Sequence, residues 1–365
     1  MLVDIPQLSN FLKSLKAAVL DDVVDRLNYF YTSFMIAFFA TIVATKQHFG
    51  SPINCLTSSE FPSHWNAFVH QYCFITGTYD FKELHQRTAL REHGYYQWIP
   101  FVLFGMALMF YVPHLIWKLL QKWSSLDLKT AVAESIKARS LVGEQRAETI
   151  KKVVDYAKRY LNAPNFGMLG MSGRFGMYSS VAYVFSKIWL INFFYGEQDY
   201  MWGYKLITGG FGTDPNMPTP FPRLTHCKFD VRDVGNTRPY EADCVIMINI
   251  LNEKIFLVIW IWLHFVLVVT VLNMLYTLVA LFIPAMRRRI IENHLCLGYG
   301  KKNSSCFDIC NDTNKERTLL KEFTTSAMSV DGLQLIRFIK NQAGGLVAHE
   351  VIRGIWKEFV EERQR

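Results

Sequence analysis

The sequence predicts an all-α membrane protein: four transmembrane helices with disulfide-bonded extracellular loops and a cytoplasmic helical domain. Three observations predict it. Four long apolar runs divide the chain, Lys and Arg concentrate in alternate segments between them, and each of the other two segments holds two cysteines. Averages alone would permit a large soluble protein, since the 365 residues are 51% hydrophobic and 15% aromatic. The distribution excludes that reading, because buried helices of soluble proteins seldom run so long without charge.

The opening segment, residues 1–27, places Leu8, Phe11, Leu12, Leu15 and Val19 at helical spacing, with Lys13 and Lys16 elsewhere around the axis. That pattern is an amphipathic helix of about three turns. It either lies on the inner leaflet or folds into a cytoplasmic vestibule and narrows it. The first span, 28–45, sits in a stretch with no charge between Arg26 and Lys46. Asp21, Asp22 and Asp25 precede it and no small-x-small cleavage site follows, so it reads as a retained signal-anchor. The second span is 98–120, the third 175–195 and the fourth 255–284. A hydrocarbon core roughly 30 Å thick needs about 20 helical residues, and each run meets or nearly meets that. The fourth is long enough to tilt, or to continue beyond the bilayer as an ordinary helix.

Orientation follows from the basic residues beside the spans. The middle loop, 121–174, holds ten Lys/Arg against five Asp/Glu, and the tail, 285–365, carries fourteen basic residues beginning at Arg287, Arg288 and Arg289. The loop 46–97 holds four of each sign, and 196–254 holds six basic and eight acidic. The basic segments and both termini are therefore placed in the cytoplasm. The net charge of +8 is mostly this bias, so nucleic acid is not an expected partner. Cys55 and Cys73 fall in the first outer loop, Cys227 and Cys244 in the second, where disulfides persist; Cys296, Cys306 and Cys310 fall in the reducing compartment. Four cysteines allow three pairings, and spacing does not choose among them.

Within the first outer loop, Pro62-Ser63 starts a helix whose stripe Trp65, Phe68, Val69, Tyr72 runs into Cys73 and packs against the second loop. In the second, Gly209, Gly210, Gly212, Pro215, Pro218, Pro220 and Pro222 mark turns and extended chain. The stretches 124–161 and 315–364 mix helix formers with charges of both signs, which is the basis for a cytoplasmic helical domain.

Several patterns invite chemistry and lack its context. Gly167, Gly170, Gly173 and Gly176 recur every third residue, but they lead into a span and read as an elbow, not a phosphate loop. His294, Cys296, Cys306 and Cys310 match no usual zinc spacing. His48, His64, His70, His85 and His93 read as surface histidines. Lys187 interrupts the third span and either snorkels or faces a wet cavity or a neighbouring chain. His264 in the fourth span reads as a packing residue, and Pro113 should kink the second. The spans contain no carboxylate, which argues against proton- or sodium-coupled transport. Neither a nucleophile–base constellation nor a Walker pattern occurs. The expectation is a non-enzyme without metal or cofactor.

At Tyr95-Tyr96-Gln97-Trp98-Ile99-Pro100 the chain resembles the innexins, the invertebrate gap-junction proteins. The resemblance extends in order through Asp25-Arg26-Leu27-Asn28-Tyr29, Pro52-Ile53-Asn54-Cys55, Gln71-Tyr72-Cys73-Phe74, Phe221-Pro222-Arg223-Leu224-Thr225-His226-Cys227 and Asn252-Glu253-Lys254. Two cysteines per loop is the innexin and pannexin count, where connexins carry three; the aromatic tetrad favours innexin. The resemblance implies a plasma-membrane ring of subunits, octameric more than hexameric, homomeric or mixed with other innexins. The ring forms a wide-pore hemichannel that docks with one on the adjacent cell and passes ions and small molecules. It implies the pairings Cys55–Cys244 and Cys73–Cys227. It also makes Leu2, Val3, Asp4, Ile5, Leu8, Phe11 and Leu12 the residues that line and gate the entrance. Partners would be a second copy, the opposing hemichannel and membrane lipids. Rival readings are an unpaired large-pore channel and an adhesion or scaffold protein.

Overall fold

The computed structural model describes residues 23–57, 61–80, 92–123, 128–161, 204, 207–208, 221–233, 235–295, 314–324, 328 and 330–364. Three described helices are long and apolar enough to cross a membrane: Val23–Phe49, Ile99–Ile116 and Met247–Ala280. The third apolar run, 175–195, lies outside the described residues, as does the amino-terminal amphipathic segment. The chain divides into two compact units, one drawn from residues 31–111 and 185–267, the other from 1–30, 112–184 and 268–365.

In the first unit, helix α2 (Thr32–Phe49) forms most of the first span. Strand β1 (Asn54–Leu56) follows, then α3 (Ser63–Thr76), β2 (Thr78–Asp80) and β3 (Glu92–His93). A 3₁₀ turn, Tyr95–Gln97, leads into α4 (Ile99–Trp123). From the second inter-span segment come β4 (Leu224–Asp233) and β5 (Asn236–Val245), which precede the 36-residue α7 (Met247–Phe282). The strands make one antiparallel sheet in the order β1-β5-β4-β2-β3. This corrects the all-α expectation: the molecule is mostly helical, but the segments 46–97 and 196–254 share a five-stranded sheet. Its physical basis is the two-residue alternation in β4, where Thr225, Cys227 and Phe229 are buried and Leu224, Lys228 and Asp230 are exposed. The hairpin β4–β5 turns at Gly235, whose φ of +83° suits a residue without Cβ.

Helix α3 begins at Pro62, whose φ of −59° and ψ of 154° place it just before the first turn. It ends at Gly77, with φ of +92°. Val69 and Cys73 form its buried side, while Trp65, Phe68 and Tyr72 keep substantial exposure. The expected packing stripe is therefore narrower than the sequence pattern: only its Val69–Cys73 edge is covered.

In the second unit, the first span starts as α1 (Val23–Arg26) and passes through a π-turn, Leu27–Tyr31. The middle loop gives α5 (Leu128–Ser140) and α6 (Glu144–Leu161); the tail gives α8 (Pro284–Leu295), α9 (Asn314–Glu322), α10 (Val330–Ala343) and α11 (Gly345–Gln364). They bury one core whose members include Val132, Val153, Val154, Ile291, Phe323, Ile336, Ile339, Val351 and Ile352. Loop and tail thus build a single helical domain, each supplying apolar faces that neither could bury alone. Pro113 lies inside α4, where its missing N–H leaves the Met109 carbonyl without its helical donor.

Candidate functional site

The sheet is joined to itself by two bridges. Cys55 is bonded to Cys244 (S–S 1.99 Å) and Cys73 to Cys227 (S–S 1.97 Å), linking positions 189 and 154 residues apart. Cys55 and Cys244 are direct partners across β1 and β5; Cys73, on α3, reaches over to β4. All four cysteines are buried. The sulfurs of Cys55, Cys73 and Cys244 lie within 4.8 Å of one another, close enough to hold a metal ion as thiolates. As disulfides they have no lone thiolate to offer one.

The aromatic tetrad has a distinct job at each position. Tyr96 has no exposed surface; its hydroxyl donates to the Cys73 carbonyl (3.4 Å) and its ring lies 5.1 Å from that of Phe74. Gln97 donates from Nε2 to the Phe74 and Ile75 carbonyls (2.5 and 3.0 Å), so it caps the last turn of α3, where carbonyls lack helical donors. Its own carbonyl accepts from Gln47 Nε2 at 3.4 Å. The Tyr95 hydroxyl accepts from Asn249 Nδ2 (3.4 Å), which also donates to the Pro222 carbonyl (2.9 Å). Trp98 is 65% exposed, as a residue at a membrane–water boundary would be. The tetrad therefore ties α3, the start of the second span and the start of α7 together.

A second tie was missed in the sequence. Glu253, with no exposed side-chain surface, takes two prongs of the Arg223 guanidinium at 2.7–3.1 Å, and Lys254 adds a contact at 3.5 Å. A carboxylate buried at the head of a membrane helix is tolerable only with such a bidentate partner. Arg223 and Glu253 both stand in the quoted motifs, but nothing in their 30-residue separation signals the contact. His226 Nδ1 meets Asp243 Oδ1 at 2.6 Å across the same hairpin, another pair that strand register alone creates.

Polar contacts also mark the spans. Ser33 donates to the Ala107 carbonyl (2.9 Å), and Trp262 Nε1 donates to Thr32 Oγ1 (3.1 Å). In the other unit, Thr270 Oγ1 donates to Asn28 Oδ1 (3.1 Å), and Tyr29 stacks on His114 with ring centroids 3.8 Å apart. His264 meets the Trp260 carbonyl through Nδ1 at 2.8 Å and packs on the Trp260 ring. His70 Nε2 contacts the Cys55 carbonyl at 3.2 Å. Among the described residues, no histidine belongs to a cluster fit to hold a metal.

In the helical domain, His294 is buried on α8 with its Nδ1 unpartnered. Its pKa is lowered to about 4, chiefly by burial and also by the charges of Lys340 and His349. His349 Nδ1 donates to the His294 carbonyl at 2.6 Å. Arg337 of α10 donates to Thr277 Oγ1 (2.7 Å) and Asn273 Oδ1 (3.2 Å) and lies over the Tyr276 ring.

The gating candidates Leu2, Val3, Asp4, Ile5, Leu8, Phe11 and Leu12, and the span lysine Lys187, lie outside the described residues.

The innexin family profile matches residues 21–359. Innexin-3 of Caenorhabditis elegans is 31% identical over 375 residues, covering 96% of this chain and 87% of that one. Innexin unc-9 of the same organism is 29% identical over 96% of this chain and 95% of its own length, and Innexin-19 of Caenorhabditis briggsae is 27% identical over 98% and 90%. A family profile spanning nearly the whole chain, together with near-complete alignment to these relatives, places the chain in the innexin family of gap-junction channel proteins.

Proposed function

We propose that this chain crosses the plasma membrane four times, with both termini cytoplasmic, and assembles into a ring, octameric in preference to hexameric. Each ring is a hemichannel that docks with one on the adjacent cell and passes ions and small molecules. The third crossing is the run 175–195, and the segment containing Leu2, Val3, Asp4, Ile5, Leu8, Phe11 and Leu12 lines the cytoplasmic entrance.

The observation that supports this reading best is the outer sheet. Two segments far apart in sequence are locked into five strands by two buried bridges and the Tyr95–Gln97 ties. A surface that meets its counterpart across an extracellular gap binds more tightly if it is ordered before contact, because ordering on binding costs affinity. One subunit with four membrane helices and no carboxylate near the middle of a span has no private path for ions, so the conduit belongs to the assembled ring.

Paired cells expressing the chain test the reading through junctional current and dye transfer. Coupling above background is expected, and Cys73→Ser should remove it. Single-cell current without transfer would replace docking with an unpaired channel. Absence of both would leave an adhesion role.

A further inference from the structure

We propose that the π-turn Leu27–Tyr31 is a rotational joint in the first span, and that its setting determines the conducting state of the channel. The inference rests on the channel reading above but adds a moving part to it. Five residues of π geometry sit between the α-helical Val23–Arg26 and Thr32–Phe49. A π-turn carries one residue more than the α-turn it replaces. Returning it to α geometry therefore rotates the upstream chain by about 100° and moves it about 1.5 Å along the axis.

The sequence offers none of the usual causes of such an irregularity. No proline or glycine occurs between Val23 and Phe49. Tertiary contacts hold the extra residue instead, and they fall on consecutive positions of the turn. Asn28, 1% exposed, accepts from the equally buried Thr270 hydroxyl at 3.1 Å. Tyr29 lies flat on His114, centroids 3.8 Å apart and planes 6° from parallel. Downstream, Thr32 and Ser33 fix the azimuth of α2 through Trp262 and the Ala107 carbonyl.

Regularising the turn carries Asn28 and Tyr29 away from Thr270 and His114. Two polar groups would then lose their mutual bond in apolar surroundings, so the observed setting is held against the alternative by specific contacts. Arg26, one residue before the turn, would swing to another side of the span with Val24 and Asp25. Packed contacts of this kind are bistable and not continuously deformable, which suits a switch.

The test uses the whole chain in paired cells. Thr270→Val keeps the shape of the side chain and removes the donor; His114→Leu removes the stacking ring. Each should shift the voltage midpoint of junctional conductance, and a Val24→Cys reporter should change several-fold in its rate of labelling by a cytoplasmic, membrane-impermeant thiol reagent. Deletion of Phe30, which removes the surplus residue and restores α geometry without turning the upstream chain, should keep labelling near the wild-type rate. Variants that reach the surface with an unchanged conductance–voltage curve overturn the gating role, and unchanged Val24→Cys labelling in Thr270→Val overturns the joint itself. Wild-type current that the variants leave untouched defeats only this inference, whereas absence of wild-type current defeats the channel reading.

Discussion

Arg146 and Glu350 stand 204 positions apart and meet through two parallel contacts, Nε to Oε2 at 3.1 Å and Nη2 to Oε1 at 2.9 Å. The pair joins α6 from the middle loop to α11 at the end of the tail, both sides partly shielded. Alanine at either position should lower the stability of the helical domain by about 1 kcal/mol, and a double-mutant cycle should return a coupling of the same order. Thermal melts of the purified protein measure it; strictly additive single effects would show that the pair contributes nothing.

Gln97→Ala should loosen the end of α3 without breaking either bridge. Two carbonyls lose their donor, worth about 1–2 kcal/mol. Gln97→Glu should be worse than alanine, because a carboxylate facing the Phe74 and Ile75 carbonyls repels where the amide bonded. Hydrogen exchange at the last turn of α3 reads the difference, and equal protection in the two variants would contradict it.

Gly354 on α11 permits close approach to α6. A Cβ there would lie 2.7 Å from Val154 Cγ2. Gly354→Ala gains about 1 kcal/mol of helix propensity, yet overpacking costs typically 1–3 kcal/mol, so a net loss is expected. Adding Val154→Ala makes room and should restore stability. Failure of that second change to rescue would place the strain elsewhere.

His294 gives the helical domain a pH dependence with a definite sign. Its pKa is lowered from 6.5 to about 4, chiefly by burial. The unfolded chain therefore binds the proton more readily than the folded one. The domain has its whole benefit above pH 6.5 and loses it as the pH falls through that value toward 4. His294→Leu should flatten this part of the stability curve in denaturant titrations. A slope of unchanged steepness in the variant would assign it to other groups.

The long apolar runs were legible because their signal is local: three of the four are described, and each is a helix over most of its expected length. The two helical stretches of the middle loop and tail were legible for the same reason, since amphipathic faces repeat within a few turns. The sheet was not read, although Leu224 to Asp230 alternates cleanly. The prolines and glycines of 209–222 drew attention to irregular chain, and strand partners lie 19 or more residues away at the wide end of the hairpin. Arg223–Glu253, Asn28–Thr270 and the π-turn depend on contacts between distant segments, for which no residue spacing is diagnostic. The tetrad Tyr95–Trp98 was recognisable as a motif, but its division of labour became visible only with Gln97 seen capping α3.

The nearness of the Cys73 sulfur to those of Cys55 and Cys244 makes the two bonds one chemical unit. A thiolate released at Cys73 would emerge beside Cys55 and Cys244 and could capture either, expelling its former mate. Reagents that reach one sulfur thus rewire the connection between the two segments instead of opening a single clasp, and partial reduction would yield exchanged pairings alongside the two thiols that each reduced bond releases.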